Sequence, residues 1–216
     1  MKEIHVRCKF FEQMLGTASQ DKEIHERFIA SKAPDAPSRE EELESISVDE
    51  MVERGKTVFH KDSDGNPFLY DYMIKGFFKS AGTVCAYIGG SHKLPAYKSK
   101  IDTLVFINER RIPLQLPEGT SIGNLQRPLR ASTAQGERVS LANSETAPIG
   151  TVIEFTITTL VDDLYKHIIE WLDYGKYSGI GQWRNASYGR FLYEELNDAG
   201  EVIGGNMREW KNFVAE

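Results

Sequence analysis

Residues 179–191 read GIGQWRNASYGRF, and the order of their glycines, arginines and aromatic residues is the strongest indication of fold and function in the chain. Glycines at this density let the backbone adopt positive φ and approach another surface closely. Arg184 and Arg190 place guanidinium groups beside that backbone, and Trp183 and Tyr188 offer flat aromatic faces. The combination favours contacts to phosphates and bases. The alternative interpretation is a helix-to-strand connection whose glycines only turn the chain.

The spacing within residues 179–191 resembles the glycine-rich loop of the RAMP superfamily, the repeat-associated proteins of CRISPR systems. That superfamily includes the guide-RNA-binding backbone subunits of effector complexes and the endoribonucleases that cut precursor RNA. The resemblance is carried by Gly179, Gly181 and Gly189, directly after an amphipathic helix. One departure is Ser187, which stands where that loop usually has a further glycine. We expect positive φ or a close approach to a strand at Gly181 or Gly189.

A second segment, YDYMIKGFFK at residues 70–79, looks like the opening of the first core helix in RAMP backbone subunits. Its signature there is lysine-glycine followed by two apolar residues and a basic one. The resemblance implies that Lys75 and Lys79 approach the backbone of a guide RNA, where a helix N-terminus also offers free N–H groups. The alternative is an ordinary amphipathic helix with two exposed lysines.

A third segment, QRPLRASTAQGER at residues 126–138, is polar and contains Arg127, Arg130 and Arg138. Its guanidinium, hydroxyl and amide groups can donate hydrogen bonds to phosphates and 2′-hydroxyls. In the resemblance it falls where backbone subunits insert a β-hairpin across the guide. The alternative is a surface loop whose arginines pair with nearby carboxylates.

Charge is unevenly distributed over the 216 residues, of which 40% are hydrophobic. The formal net charge is −6, which argues against a protein that coats DNA without regard to sequence. Residues 81–140 carry 8 basic and 4 acidic side chains, net +4, whereas residues 1–80 and 141–216 are net −4 and −6. A nucleic-acid strand is therefore expected to contact a local patch.

Features of other protein classes are missing from the sequence. No run approaches 18 apolar residues, and the N-terminal MKEIHVRCKFF lacks an apolar signal core, so a cytoplasmic protein is expected. Cys8 and Cys85 match no metal-ligand or redox spacing and are predicted to be small buried hydrophobic residues. No cofactor or metal is implied.

Hydrophobic periodicity predicts an α+β chain. The predicted helices cover residues 21–31, 38–54, 71–85 and 161–174. The predicted strands cover residues 3–11, 101–107, 138–141, 151–157 and 190–196. Hairpins are expected around residues 57–71 and after residue 197, and a polar loop is expected at 123–136. The strand at 3–11 is expected to be half-buried with a basic outer face. The order is compatible with a ferredoxin-like (RRM-like) core with insertions and a C-terminal glycine-rich loop. We expect one RAMP-like domain over residues 1–216, with a helical insertion at about 38–55 and a polar loop or hairpin insertion at about 120–150.

Catalytic signals are weaker than binding signals. RAMP endoribonucleases commonly use a histidine with a lysine or tyrosine nearby, and His25 lies three residues after Lys22. The remaining histidines lack companions, and no Ser-His-Asp order, paired carboxylates or phosphate-binding motif of the Walker type stands out. A non-catalytic binding protein is the favoured interpretation.

Three functions remain open at this stage. The first is a single-stranded RNA (guide RNA) binding protein that resembles a CRISPR backbone subunit and self-associates along RNA or joins a multi-subunit complex. The second is a stand-alone RAMP-fold protein-interaction factor, for example one that interferes with a defence complex. The third is a metal-independent endoribonuclease using His25. For the first function, the predicted nucleic-acid contacts are Lys75, Lys79, Arg127, Arg130, Arg138, Gly179, Gly181, Arg184, Gly189 and Arg190.

Overall fold

The computed structural model describes residues 1–19, 56–133 and 136–214, and of residues 129–133 and 136–141 it describes only the backbone. The helices are α1 (Asp71–Ile88), α2 (Tyr97–Leu104) and α3 (Tyr165–Asp173). The strands are β1 (Lys2–Phe10), β2 (Met14–Leu15), β3 (Ala18–Ser19), β4 (Thr57–Val58), β5 (His60–Lys61), β6 (Pro67–Tyr70), β7 (Val105–Ile107), β8 (Arg111–Pro113), β9 (Gly123–Thr133), β10 (Gly136–Ala147), β11 (Val152–Thr159), β12 (Phe191–Leu196) and β13 (Val202–Gly205). The helices predicted at 21–31 and 38–54, and with them His25, lie outside the described residues.

The central sheet has the strand order β13-β12-β1-β11-β7, and every neighbouring pair is antiparallel. Along the chain, its core elements follow one another as β1, α1, β7, β11, α3 and β12. This is the β-α-β-β-α-β order of the ferredoxin-like fold, with the first strand lying between the third and the fourth. The predicted α+β, ferredoxin-like class is confirmed.

Strand β1 has one buried and one partly exposed face, as its alternating sequence predicts. Ile4 and Val6 are buried, whereas Arg7 lies on the outer face. Arg7 donates to Glu154 on β11 through Nε at 2.6 Å and to Glu194 on β12 through Nη1 at 3.3 Å. The basic side chains of β1 therefore do not make the whole outer face basic, because the neighbouring strands β11 and β12 carry the carboxylates that pair with Arg7.

Helices α1 and α3 contribute to one hydrophobic core with the central sheet. The ring of Phe77 on α1 lies 5.1 Å from that of Phe191 on β12, and Phe78 lies 5.6 Å from Trp171 on α3, measured between ring centroids. None of the described helices is long and apolar enough to cross a membrane.

Both cysteines are free and buried, as predicted. Burial raises the pKa of the Cys8 thiol well above its usual range, since a thiolate would be poorly solvated there.

The predicted strand at 101–107 is wrong over its first four residues. Residues 101–104 complete α2, and the strand consists only of Val105–Ile107. A short apolar run such as Ile101-Asp-Thr-Leu fits a helix or a strand equally well by periodicity. The tertiary environment favours the helix, because Ile101 is fully buried in the core as part of a helical turn.

Of the two alternatives for residues 120–150, a polar loop or a hairpin, the structure has a long hairpin, so the prediction of a loop over 123–136 is wrong. Strands β9 and β10 pair antiparallel from Gly123–Thr146 to Thr133–Gly136. The alternation of a strand is hidden when both of its faces are polar, although the backbone hydrogen bonds still form. At its base, β10 also pairs with β2 and β4, which ties the hairpin to the rest of the protein.

The hairpin predicted around residues 57–71 is confirmed by the pairing of β5 with β6, which β8 extends to three strands. Its turn is fixed by Asp62, whose Oδ1 accepts the backbone N–H of Asp64 at 2.9 Å and of Asn66 at 2.8 Å. The acidic residues of this segment thus serve the turn.

Candidate nucleic-acid interface

The glycine loop, residues 179–190, holds four residues in the left-handed region. Gly181 and Gly189 have φ of 100° and 69°, as the sequence predicts. Trp183 and Ser187 share this region, with φ of 55° and 70°. A non-glycine residue at positive φ is uncommon and carries some strain. The loop therefore has a defined shape that projects its exposed residues 184–187 from two left-handed corners.

Backbone hydrogen bonds fix the loop to the segment that follows β1. The N–H of Gly189 donates to the carbonyl of Gln13 at 2.8 Å, and the N–H of Gln182 donates to that of Leu15 at 3.4 Å. Across the loop, the N–H of Ile180 donates to the carbonyl of Gly189 at 2.9 Å. The side chain of Ile180 is buried in the core. This anchoring makes the loop a rigid extension of the fold.

Three flat side chains stack where the glycine loop meets the β9–β10 hairpin. The rings of Trp183 and Tyr188 are nearly parallel, 8° apart in plane and 5.3 Å apart between centroids. The guanidinium carbon of Arg127, on β9, lies 3.9 Å from the centroid of the Trp183 ring. A cation over the face of a tryptophan is attracted by the negative face of the ring. We call this group the arginine stack.

Two guanidinium groups at this junction have unused donors. Burial lowers the pKa of Arg127 from its ordinary value, although an arginine stays charged at neutral pH. Its Nε and Nη1 are buried and have no hydrogen-bond partner among the described residues. The side chain of Arg184 is exposed and makes no hydrogen bond or ion pair within the described part of the chain. The exposed donors of Arg184 are available to an anion, whereas a ligand must displace the groups that cover Nε and Nη1 of Arg127 before it reaches them.

A polar contact between three segments holds the base of the hairpin against the loop. The hydroxyl oxygen of Thr57 on β4 lies 2.8 Å from that of Ser144 on β10 and 3.3 Å from the amide oxygen of Gln182. Ser144 is buried. Sequence reasoning missed these residues, because they lie far apart in the chain and follow no motif.

An open cavity of about 630 Å³ lies beside the loop, within the range usual for small-molecule sites. Tyrosine, tryptophan, serine and amide side chains form most of its wall, and none of the described lining residues is acidic. The lining residues are Ser80, Tyr174, Tyr177, Ser178, Gly181, Gln182, Trp183, Arg184, Asn185 and Ser187. Of these, the sequence analysis singled out only the members of residues 179–191.

Arg190, the last predicted contact of the loop, is engaged within the protein. Its Nη2 donates to Glu12 at 2.7 Å, and its guanidinium carbon lies 5.0 Å from the centroid of the Phe11 ring. The backbone carbonyl of Arg190 also accepts the N–H of Phe11 at 3.1 Å. These contacts tie the start of β12 to the end of β1.

The two predicted lysines of α1 contact α2 and β7, away from the arginine stack. Lys79 forms an ion pair with Asp102 at 2.7 Å, and Lys75 donates to the Asp102 carbonyl at 3.4 Å. The ammonium of Lys75 also lies 5.0 Å from the ring centroid of Phe106 on β7. In the central sheet, β7 lies three strand spacings, about 14 Å, from β12, which is the strand that follows the glycine loop.

Arg130 and Arg138 lie on opposite strands of the hairpin, where Arg130 pairs with Val139 and Arg138 with Ala131. Only their backbone is described. Of the predicted contacts, the structure therefore brings together Arg127, Arg184 and the glycines of the loop.

No protein-family model and no curated protein matches this chain. Among solved structures, the chain is similar to one described as the cryo-EM structure of the Type III-B Cmr-beta bound to cognate target RNA. The TM-score is 0.47 and the sequence identity 10%, over 95% of this chain and 60% of the other. The chain thus spans less than two thirds of the length of that protein.

Proposed function

We propose that this protein is a non-catalytic, RAMP-type protein that binds single-stranded RNA where the β9–β10 hairpin meets the glycine loop. The observation that carries the proposal is the arginine stack: Arg127 is held 3.9 Å over Trp183, and two of its N–H-bearing nitrogens have no partner in the part of the chain that the structure describes. Leaving a buried donor unsatisfied costs about 1–3 kcal/mol. A ligand that brings acceptor oxygens to this junction, as a phosphodiester does, would offset that cost.

The local charge supports a polyanion as the ligand. Arg184 adds an exposed guanidinium beside the arginine stack, and none of the described residues that line the adjoining cavity is a carboxylate. Within the described residues, the acidic partner of an arginine in the loop is Glu12, which pairs with Arg190. The net charge of −6 is therefore compatible with a small positive surface at this junction.

In the proposed complex, Arg127 and Arg184 contact phosphates, while the glycines let the strand lie close to the backbone of the loop. Such contacts recognise the charge and shape of a strand and not its sequence. Further proposed contacts are Lys75, Lys79, Arg130 and Arg138. We also propose that the protein self-associates along RNA or belongs to a larger complex, as the RAMP resemblance implies.

The test is a titration of fluorescently labelled single-stranded RNA, followed by anisotropy at about 50 to 200 mM salt. Each phosphate contact contributes a slope of about −0.7 to log K against log salt for a single strand. Arg127→Ala and Arg184→Ala are each expected to weaken binding about 5- to 150-fold and to make the slope shallower by about 0.7.

Arg111→Ala is the matched control, since this exposed arginine also lies over an aromatic ring, 5.2 Å from the centroid of Phe68, but on the β5-β6-β8 sheet. Its loss should change affinity less than the loss of Arg127. Absence of binding at low salt, or equal losses in all three variants, would contradict the proposal. Cleavage of the RNA without divalent metal would instead favour the endoribonuclease predicted from His25.

A second candidate function, binding to another protein, is favoured by the edge of the central sheet. β13 is an edge strand, and its Val202 and Ile203 are 56% and 61% exposed. An exposed apolar edge can pair with a strand of another chain. Replacing Ile203 by Lys should abolish a complex formed this way and leave RNA affinity unchanged, so the two functions are separable.

A further inference from the structure

We infer that the cavity beside the glycine loop binds one unstacked nucleobase of the RNA strand. This inference deepens the proposed function, in which the strand is held by its phosphates alone. It adds a second recognition element, formed by residues 174–187, that distinguishes a base-bearing strand from a bare sugar-phosphate chain.

The chemistry of the cavity wall fits a nucleobase better than it fits a phosphate. Tyr174 and Tyr177 provide aromatic rings, Trp183 lines the cavity while its ring packs against Arg127 and Tyr188, and Asn185 and Gln182 provide amide groups that both donate and accept hydrogen bonds. Among the described residues of the lining, Arg184 is the charged one. Planar, uncharged bases with donor and acceptor edges are recognised in RNA-binding proteins by this combination of stacking and amide contacts.

Tyr177 is the residue best placed to stack on a base. Its side chain lines the cavity and is 68% exposed, just after the 3₁₀ turn Tyr174–Lys176 that follows α3. The turn that presents it is fixed, because the N–H groups of Tyr177 and Ser178 donate to the carbonyl of Tyr174 at 2.9 and 3.1 Å. A fixed backbone with an exposed aromatic ring is a stacking platform prepared before the ligand arrives.

The cavity also adjoins the proposed phosphate contacts. Arg184 and Trp183 belong both to its lining and to the junction with the hairpin. A nucleotide whose phosphate contacts Arg184 could therefore direct its base into the cavity without leaving the strand. The volume of about 630 Å³ is ample for one nucleotide.

The experiment compares two oligomers of equal length and charge, oligoadenylate and an abasic ribose-phosphate chain. Wild-type protein is expected to bind the oligoadenylate about 5- to 150-fold more tightly, the effect of stacking one base on an aromatic ring. Tyr177→Ala should remove this preference, and Tyr177→Phe should keep it. Tyr87→Ala, which removes an 88% exposed tyrosine outside the cavity, should leave it unchanged.

Equal affinity for the two oligomers would overturn the base site while leaving the proposed phosphate contacts intact. If neither oligomer binds, the proposed function fails, and adenosine monophosphate is compared with ribose 5-phosphate by NMR. A shift of the Tyr177 ring signals with the nucleotide alone supports the base site, and equal or absent shifts overturn it.

Discussion

Gly179 and Gly189 face each other so closely that a Cβ atom built on Gly179 would lie 2.0 Å from the carbonyl carbon of Gly189. A Cβ on Gly189 would in turn lie 1.9 Å from the carbonyl oxygen of Ile180. Real Cβ atoms do not approach backbone atoms so closely, so the two glycines are required by the path of the loop and not only by its turns.

We expect Gly179→Ala to lower the free energy of unfolding by more than about 2 kcal/mol, because the backbone must shift to admit the methyl group. Urea denaturation measures the change. Gly76→Ala is the control: a Cβ at this position of α1 meets no atom within 4 Å, and alanine is the better helix former, so stability should rise by about 0.5–1 kcal/mol. If Gly179→Ala were as stable as wild type, the loop would not have this geometry.

Ser187 is the residue that departs from the glycine expected in a RAMP loop, and its φ of 70° is one that glycine adopts at little cost. We therefore expect Ser187→Gly to raise the free energy of unfolding by up to about 1 kcal/mol, since the relief of strain exceeds the added entropy of the unfolded chain. Ser187→Val should lower it. Thermal unfolding of both variants provides the measurement, and a destabilised glycine variant would contradict the prediction.

The central sheet could be predicted from sequence because its signals are local. Ile4, Val6 and Cys8 alternate with polar residues along β1, and this period of two fixes which face is buried. The contents of the binding junction could not be predicted in this way. Arg127 and Trp183 are separated by 56 positions, and only the docking of the hairpin on the loop brings their side chains together.

The errors in the sequence prediction have the same origin. Residues 123–136 are polar and carry no apolar alternation, so the sequence contains no local signal for the strands that pair there as the β9–β10 hairpin. The sequence also gave no indication that Lys79, which stays a proposed RNA contact, would pair with Asp102. Whether a surface lysine or arginine is free depends on acidic residues of other helices and strands. Hydrophobic periodicity along the sequence does not show which of these residues come close in the fold.

Asp173 at the end of α3 makes stability depend on pH. Burial raises the pKa of its carboxyl group, although the hydrogen bond from Nδ2 of Asn206, at 3.0 Å, acts in the opposite direction. A carboxyl whose pKa is higher in the folded state stabilises the fold below its unfolded pKa, and this contribution is lost as pH rises through the folded value. Asp173→Asn, which cannot ionise, should therefore be more stable than wild type at pH 7 and equal to it near pH 3.5.

Asp62→Asn is the control of opposite sign. Hydrogen bonds from Asn66, first from its backbone and then from its side chain, lower the pKa of Asp62. Its contribution to stability is present above the unfolded pKa and lost as pH falls, so Asp62→Asn should be less stable than wild type at pH 7. Thermal unfolding from pH 3.5 to 7 separates the two cases. Parallel profiles for both variants would contradict the assignment.

Arg190 is expected to support the fold, whereas Arg184 is expected to bind RNA. Because Arg190 pairs with Glu12 at 2.7 Å, Arg190→Gln and Glu12→Gln should each lower the free energy of unfolding, and the double variant should lose less than the sum by about 0.5–1 kcal/mol. Arg184→Gln should leave unfolding unchanged and weaken RNA binding. Denaturation and anisotropy on the same samples give both quantities. If Arg190→Gln instead weakened RNA binding as much as Arg184→Gln without altering stability, Arg190 would be a direct contact, as the sequence alone predicts, and Glu12 would only orient it toward the strand.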